Sequence, residues 1–199
     1  MPRLILASAS PRRAQLLQQM GVEFEQLATH IDERQLSGEG AEEYVARLAW
    51  EKSAAAQQQL DTADDVVVLA ADTCVVLDQQ ILGKPVDHLD ALAMLARLSG
   101  REHRVLTAVC VRHKQQVEEA LSDTRVKFLN LDRQQCEAYL ATDEAWDKAG
   151  AYAIQGLAGC FVDSINGSYS GVVGLPLAHT WQLLQRVDVA TLLEVGKGE

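Results

Sequence analysis

The stretch VVVLAADTCVVL, residues 66–77, constrains the fold more than any other part of this chain. A run so rich in β-branched and aliphatic residues predicts a long strand, interrupted at residues 71–73. Within it, Asp72 follows six consecutive apolar residues and precedes another apolar run. A carboxylate inside so hydrophobic a strand needs a partner, most naturally a metal ion or a catalytic role. The structural alternative is an aspartate at a β-bulge, bonded to backbone amides.

Strands and helices alternate along the rest of the sequence. A strand at 4–7 precedes a helix that has Ser10 as its N-cap and Pro11 in its first turn, and that ends before Gly21. Further strands are predicted at 22–29, 103–112 and 120–129, and further helices at 41–60, 90–98, 132–141 and 174–187. This order predicts an α/β fold with a mixed sheet, in a single domain over residues 1–199 without an internal linker.

Composition narrows the class of function. The net charge of −10 argues against binding to a nucleic acid polymer, which normally requires a basic face. A small phosphate ligand is compatible with that charge, because a site can be locally basic or can recruit a divalent metal. No apolar run approaches the ~20 residues that span a bilayer, so no membrane association is expected. The four cysteines are dispersed, which favours reduced thiols in a cytoplasmic protein.

Two adjacent arginines, Arg12 and Arg13, stand at the start of the first predicted helix. The helix macrodipole makes that end positive, so two cations there are unfavourable unless an anion binds beside them. Backbone N–H groups, the hydroxyls of Ser8 and Ser10 and both guanidinium groups would together form a phosphate-binding cradle. The alternative is that both arginines are solvated charges and that Ser10 only caps the helix.

Three further charged residues are candidates for the same site. Lys52 continues an apolar stripe of its helix at i+4 spacing after Leu48, so its ammonium faces the interior or a cleft, unless it snorkels to solvent. Glu33, in HIDER, is a second acidic residue that could reach a metal. Lys84 lies in the turn GKP, which by itself could equally be an ordinary surface loop.

As a set, these residues resemble a known family, the Maf-like nucleoside triphosphate pyrophosphatases. The family's motifs are matched, in order and spacing, by SASPRR (8–13), DE (32–33), ADT (71–73), GKP (83–85), LSGREHRVLT (98–107), DKAGAYAIQG (147–156) and GLP (174–176). The resemblance spans about residues 3–186. It implies a fold like that of the inosine triphosphatases, with a bent mixed sheet, flanking helices and two lobes around a cleft.

The resemblance also implies hydrolysis between the α- and β-phosphates of a nucleoside triphosphate, which yields a nucleoside monophosphate and pyrophosphate. Asp72 would orient or deprotonate the attacking water and, with Glu33, would hold a divalent metal, Mg²⁺ or Mn²⁺. The triphosphate would be held by four polar or basic side chains: Ser8, Arg13, Lys52 and Lys84. A homodimer is a further expectation from the family.

Three positions indicate which nucleotide is the substrate. The family branch that acts on dTTP and UTP carries Arg, Thr and Gln at its specificity positions, where this chain has Arg12, Thr73 and Gln155. The Gln155 amide offers a donor and an acceptor to a pyrimidine edge, and Gly156 and Gly159 would let the backbone approach the base. Modified uridine and cytidine triphosphates are further candidate substrates.

Two alternatives stay open at this point. One is the same chemistry on another nucleotide, such as 7-methyl-GTP. The other is a non-catalytic, nucleotide-binding regulator of cell division, which would sense its ligand without turning it over. The complete set of Asp72, Glu33, Lys52 and Lys84 favours turnover, because a sensor needs no activated water.

Overall fold

The computed structural model describes residues 2–60 and 65–193. Within these ranges, seven strands form one sheet: β1 (Arg3–Leu6), β2 (Glu25–Gln26), β3 (Val66–Leu77), β4 (Gln80–Leu82), β5 (Glu102–His113), β6 (Gln116–Phe128) and β7 (Val162–Asn166). Their order is β2-β1-β3-β5-β6-β7, with β4 also beside β3. β1 pairs in parallel with β2 and β3, and the other pairs are antiparallel. The predicted mixed sheet is therefore confirmed.

Helices cover both faces of this sheet. In the described part of the chain they are α1 (Pro11–Gln19), α2 (Ala41–Gln57), α3 (His88–Leu98), α4 (Arg133–Leu140), α5 (Tyr169–Val173) and α6 (Leu177–Gln185). The backbone also forms two short 3₁₀ turns, at Ala149–Ala151 and Leu157–Phe161. None of these helices has the length and apolar character that crossing a bilayer requires.

Two apolar clusters meet on one face of β3. One packs α1 and α6 against β1 and the first half of β3, and it includes Ala71. The other packs α3 and α4 against the second half of β3, and it includes Val75. The boundary between the two lobes that these clusters build therefore crosses β3 next to Asp72.

Some predicted boundaries differ from the structure. β3 runs without a break through residues 71–73, where Asp72 pairs in register with Ala108, so the β-bulge alternative for Asp72 is wrong. The second strand has two residues instead of the predicted 22–29, because only Glu25 and Gln26 pair with the short β1. Ser10 occupies the N-cap position of α1, but its side chain makes no capping hydrogen bond. α1 does end before Gly21, whose φ of +65° suits glycine.

One edge of β3 is paired along most of its length, and the other is not. On the first edge, β5 pairs with Val67–Val76. On the second edge, β1 pairs with Val66–Leu69 and β4 pairs with Val75–Leu77. Among the described strands, none neighbours residues 70–74 on that second edge. A change of strand neighbour of this kind opens a crevice, which is where α/β proteins commonly bind ligands.

Candidate active site

A cleft of about 550 Å³ opens at this gap beside β3. Its walls contain nine residues that the sequence predicts for the site, Ser8, Arg12, Arg13, Glu33, Lys52, Asp72, Thr73, Lys84 and Gln155, but not Gly156 or Gly159. These residues come from six separate segments of the chain, and the fold brings them all to one cavity. Their individual roles stay predictions.

Lys52 joins the two acidic residues of the cleft. Its Nζ lies 2.6 Å from Oδ1 of Asp72 and 2.6 Å from Oε1 of Glu33. Only 9% of Lys52 and 7% of Asp72 is exposed, whereas Glu33 lies at the open side. Lys52 is drawn inward because Leu48 and the rest of that α2 face pack on the sheet. The snorkelling alternative for Lys52 is therefore wrong.

The two carboxyl groups differ in their proton affinity. Burial raises the pKa of Asp72, and the positive charges of Lys52 and Arg13 oppose that effect only in part. Burial also acts to raise the pKa of Glu33, but the hydrogen bond and charge of Lys52 outweigh it, so the pKa of Glu33 is lowered. Asp72 thus holds a proton more readily than an ordinary aspartate, which suits a group that takes a proton from water.

The adjacent residues Asp72 and Thr73 reach the cleft from opposite faces of the sheet, because successive side chains of a strand alternate. Asp72 lies on the α2 face and contacts Lys52. Thr73 lies on the α1 face and accepts a hydrogen bond from Arg13 Nη2 at 3.3 Å. The gap at residues 70–74 leaves both side chains open to the same cavity.

Arg13 is held by three hydrogen bonds inside the cleft wall. Besides the bond to Thr73, Nη1 donates to Ser8 Oγ at 3.3 Å and Nε donates to the Gly174 carbonyl at 2.9 Å. Gly174 adopts a φ of +132°, a backbone conformation that favours glycine. Ser8 Oγ also accepts from the Ser10 N–H at 3.1 Å. Ser8 and Arg13, which the sequence predicts as two ligands of the triphosphate, are thus hydrogen-bonded to each other, and Arg13 is not a solvated charge.

Arg12 reaches a different partner at the mouth of the cleft. Its Nη1 lies 3.1 Å from Oδ2 of Asp147, whose other oxygen pairs with Lys148. Burial acts to raise the pKa of Asp147, but the hydrogen bonds from Lys148 and Arg12 outweigh it, so that pKa is lowered. Sequence reasoning missed Asp147 and Lys148 as cleft residues, although both lie in the motif DKAGAYAIQG.

Lys84 and Gln155 lie at the exposed rim. The charge of Lys84 contributes to the lowered pKa of Glu33. The Gln155 amide makes no hydrogen bond to any described residue, so its donor and acceptor are both available. A Cβ at Gly156 would lie 2.2 Å from Glu144 Oε2, so this glycine makes room for the protein's own carboxylate. The predicted approach of the 156–159 backbone to a base stays a prediction.

Asp72 and Glu33 are suited to share a divalent cation, since an oxygen of each lies 2.6 Å from the same Lys52 nitrogen. No group of three or more acidic, histidine or cysteine side chains in the described ranges forms a metal site. Mg²⁺ commonly takes one or two protein carboxylates and completes its shell with water and substrate phosphates. The pair therefore fits an ion whose remaining ligands come from a phosphate-bearing molecule.

Comparison with known proteins agrees with this geometry. The family model described as Maf-like protein matches residues 3–187. A dTTP/UTP pyrophosphatase of Pseudoalteromonas atlantica is 53% identical over 94% of this chain and 98% of its own length. A protein of the same name in Escherichia coli K12 is 50% identical over 94% of this chain and 94% of its own length. Another, in Methylobacillus flagellatus, is 52% identical over 96% of this chain and 95% of its own length. The resemblance seen in the motifs is confirmed, and this chain belongs to the Maf-like protein family.

Proposed function

We propose that this chain is a nucleoside triphosphate pyrophosphatase that hydrolyses dTTP and UTP to the nucleoside monophosphate and pyrophosphate. The similar proteins described above bear that activity in their names and are about half identical over most of the chain. The observation that carries the proposal is the placement of Asp72, a buried carboxylate at the gap in the sheet, among the basic side chains of Arg13, Lys52 and Lys84.

The basic residues account for recognition of the triphosphate. Ser8, Arg13, Lys52 and Lys84 all line the cleft, and three of them carry a positive charge. Phosphoryl-transfer sites work mainly by positioning and by stabilising the charge that develops on the transferring oxygens. This local positive charge explains how a chain with a net charge of −10 accepts a highly anionic substrate.

Asp72 accounts for the chemical step. Its carboxylate accepts a proton from water as the water oxygen bonds to the α-phosphorus. The bond from that phosphorus to the α,β-bridging oxygen breaks, and its electron pair leaves with pyrophosphate, next to Arg13 and Lys52. Mg²⁺ or Mn²⁺, held by Asp72 and Glu33, would supply further neutralisation of the phosphate charge when bound.

Arg12, Thr73 and Gln155 account for the choice of base. Gln155 offers a free donor and a free acceptor at the rim, and Arg12, which lines the same cleft, is anchored by Asp147. Thr73 connects this group to Arg13. Modified uridine and cytidine triphosphates are further candidate substrates. A homodimer stays an expectation from the family.

The experiment that tests the proposal is a turnover assay with Mg²⁺ and dTTP, UTP, CTP, GTP and 7-methyl-GTP. We expect dTTP and UTP to be hydrolysed best, with monophosphate and pyrophosphate formed in equal amounts, and a chelator to stop the reaction. Release of UDP and inorganic phosphate would contradict the assigned bond cleavage. Preference for 7-methyl-GTP would support the first alternative, and binding without turnover would support a regulator of cell division.

A further inference from the structure

A buried threonine that has no role in the proposed reaction is linked to Arg13 by hydrogen bonds. Thr107, on β5, is fully buried, and its Oγ1 lies 2.9 Å from Oγ1 of Thr73. The same Thr107 oxygen lies 2.8 Å from the Gly171 carbonyl of α5. Thr73 in turn accepts from Arg13 Nη2, and Arg13 Nε donates to Gly174 at the end of α5. These bonds close a ring from α5 through β5 and β3 to α1 and back.

The direction of each bond in this ring follows from counting protons. The Gly171 carbonyl can only accept, so Thr107 gives its single hydroxyl proton to it. The bond between the two threonines must then be donated by Thr73. With its own proton used, Thr73 presents only lone pairs on the other side, and the guanidinium of Arg13 can only donate. A single orientation of the two threonine hydroxyls therefore satisfies every hydrogen bond of the ring.

We infer that Thr107 is a positioning residue, which sets the Thr73 hydroxyl as an acceptor and thereby aims the guanidinium of Arg13 at the phosphates. The inference rests on the proposed function, in which Arg13 holds the leaving pyrophosphate. Without the Thr107 oxygen, the Thr73 hydroxyl loses its acceptor and rotates, and one of the three bonds that hold Arg13 loses its fixed geometry. Thr107 itself is fully buried and acts through its neighbours.

The chain offers a matched control on the neighbouring strand. Thr124, on β6, is also fully buried, and its Oγ1 accepts from the Ser168 N–H at 3.0 Å. It thus anchors the start of α5, as Thr107 anchors a residue within α5, but within the described residues it has no hydrogen bond to Thr73 or Arg13. Thr124→Val removes a comparable structural bond and leaves the positioning of Arg13 intact.

The test measures binding of inorganic pyrophosphate by calorimetry in the presence of Mg²⁺, and kcat and KM for dTTP. We expect Thr107→Val to weaken pyrophosphate binding by about fivefold to tenfold, and Thr107→Ser and Thr124→Val to stay within about twofold of the parent. In an Arg13→Ala background, Thr107→Val should add less than about twofold, because the group that it positions is gone. Thermal melting establishes that each variant is folded.

Additive losses in the double variant would overturn the inference, as would an equal loss in Thr124→Val or no loss in Thr107→Val. If Thr107→Val does not fold, Thr73→Val breaks the next link of the ring while Thr107 keeps its bond to Gly171, and it must produce the same weakening. Failure of the proposed activity is a separate outcome, since it shows as absent dTTP turnover in the parent protein.

Discussion

Arg12 and Arg13 are consecutive, yet their guanidinium groups contact different segments of the cleft wall: Arg13 donates to Gly174 and Arg12 to Asp147. Arg13 is enclosed by Ser8 and Thr73, whereas Arg12 stays a quarter exposed at the mouth. Residues one apart on a helix point about 100° away from each other, which explains how the pair divides between two tasks. Replacing Arg12 and replacing Arg13 should therefore have different effects on catalysis.

Arg13→Ala should lower kcat/KM for every nucleotide alike, because a phosphate contact carries no information about the base. Loss of a charged hydrogen bond to substrate costs on the order of 1.5–3 kcal/mol, or roughly ten- to a hundredfold in kcat/KM. Arg12→Ala should instead narrow the difference between dTTP or UTP and the other nucleotides. Steady-state kinetics with dTTP, UTP, CTP and GTP measure both effects. Equal losses across all four substrates for both variants would make Arg12 one more phosphate ligand.

Asp72→Asn should abolish hydrolysis while nucleotide binding survives in part. The amide keeps the shape of the carboxylate but neither accepts a proton nor carries the charge that a metal needs. The loss in kcat should reach roughly a thousandfold, within the range for a general base with a role in charge stabilisation. Asp163→Asn, an exposed aspartate that pairs with Lys127 on the sheet edge, is the control and should keep full activity. Turnover by Asp72→Asn within tenfold of the parent would remove Asp72 from the mechanism.

Lys52→Met should strengthen binding of Mn²⁺ in the absence of nucleotide while weakening turnover. The ammonium lies between Asp72 and Glu33 at the distance at which it neutralises both, so its removal leaves the two carboxylates without the cation that they share. Electron paramagnetic resonance of free Mn²⁺ measures the affinity without any reaction. Lys84→Met removes an equal charge at the exposed rim and should change that affinity less. Identical Mn²⁺ affinities in Lys52→Met and the parent would exclude competition between Lys52 and the metal.

The burial of His103 predicts that the folded protein loses stability when the pH is lowered from 7.5 to 5. Its ring is buried between Phe128 and Tyr152, with Nε2 2.8 Å from the Tyr152 hydroxyl, and burial lowers its pKa to about 4. In the unfolded chain the pKa of histidine is near 6.5, so His103 binds a proton below that pH, whereas in the folded chain it stays neutral down to about pH 4. The contribution of neutral His103 to the free energy of unfolding is therefore full above about pH 6.5 and is lost as the pH falls toward 4. The loss at pH 5 should be about 2 kcal/mol.

Urea unfolding at pH 7.5 and pH 5 measures this effect. His103→Gln should lower stability at pH 7.5 but should reduce the difference between the two pH values. His30→Gln, which replaces an exposed histidine, should keep the full difference. An unchanged pH dependence in His103→Gln would show that other groups cause the acid sensitivity.

The local features of the fold could be predicted from the sequence, and the pairings between distant segments could not. The apolar run around Asp72 predicted a strand and an unusual carboxylate, and both are present. The gap beside that residue depends on where β1 ends and β4 begins, which is set by non-local pairing. Arg13 meets the carbonyl of Gly174, which is 161 positions away, and no local periodicity indicates such a contact.

Thr107 is a second residue whose distant contact could not be predicted, although it lies in one of the family's motifs. The sequence placed it in a strand, in a motif typical of the family, but gave no reason for a hydroxyl at that position. Its reason is the Gly171 carbonyl, which α5 brings over β5 from 64 positions away. Likewise, Asp147 became a candidate only when the fold placed it opposite Arg12.

The alternation of Asp72 and Thr73 across β3 has a consequence for how this chain tolerates insertions and deletions. Adding or removing one residue between Val66 and Ala71 would rotate both side chains to the opposite faces, so that the carboxylate would meet α1 and the hydroxyl would meet α2. The buried positions that flank them would still be filled by small or aliphatic residues, and a sheet could still form. Length variants of this strand would therefore lose activity before they lost the fold, whereas length changes in the loops at either end of β3 would leave both side chains on their present faces.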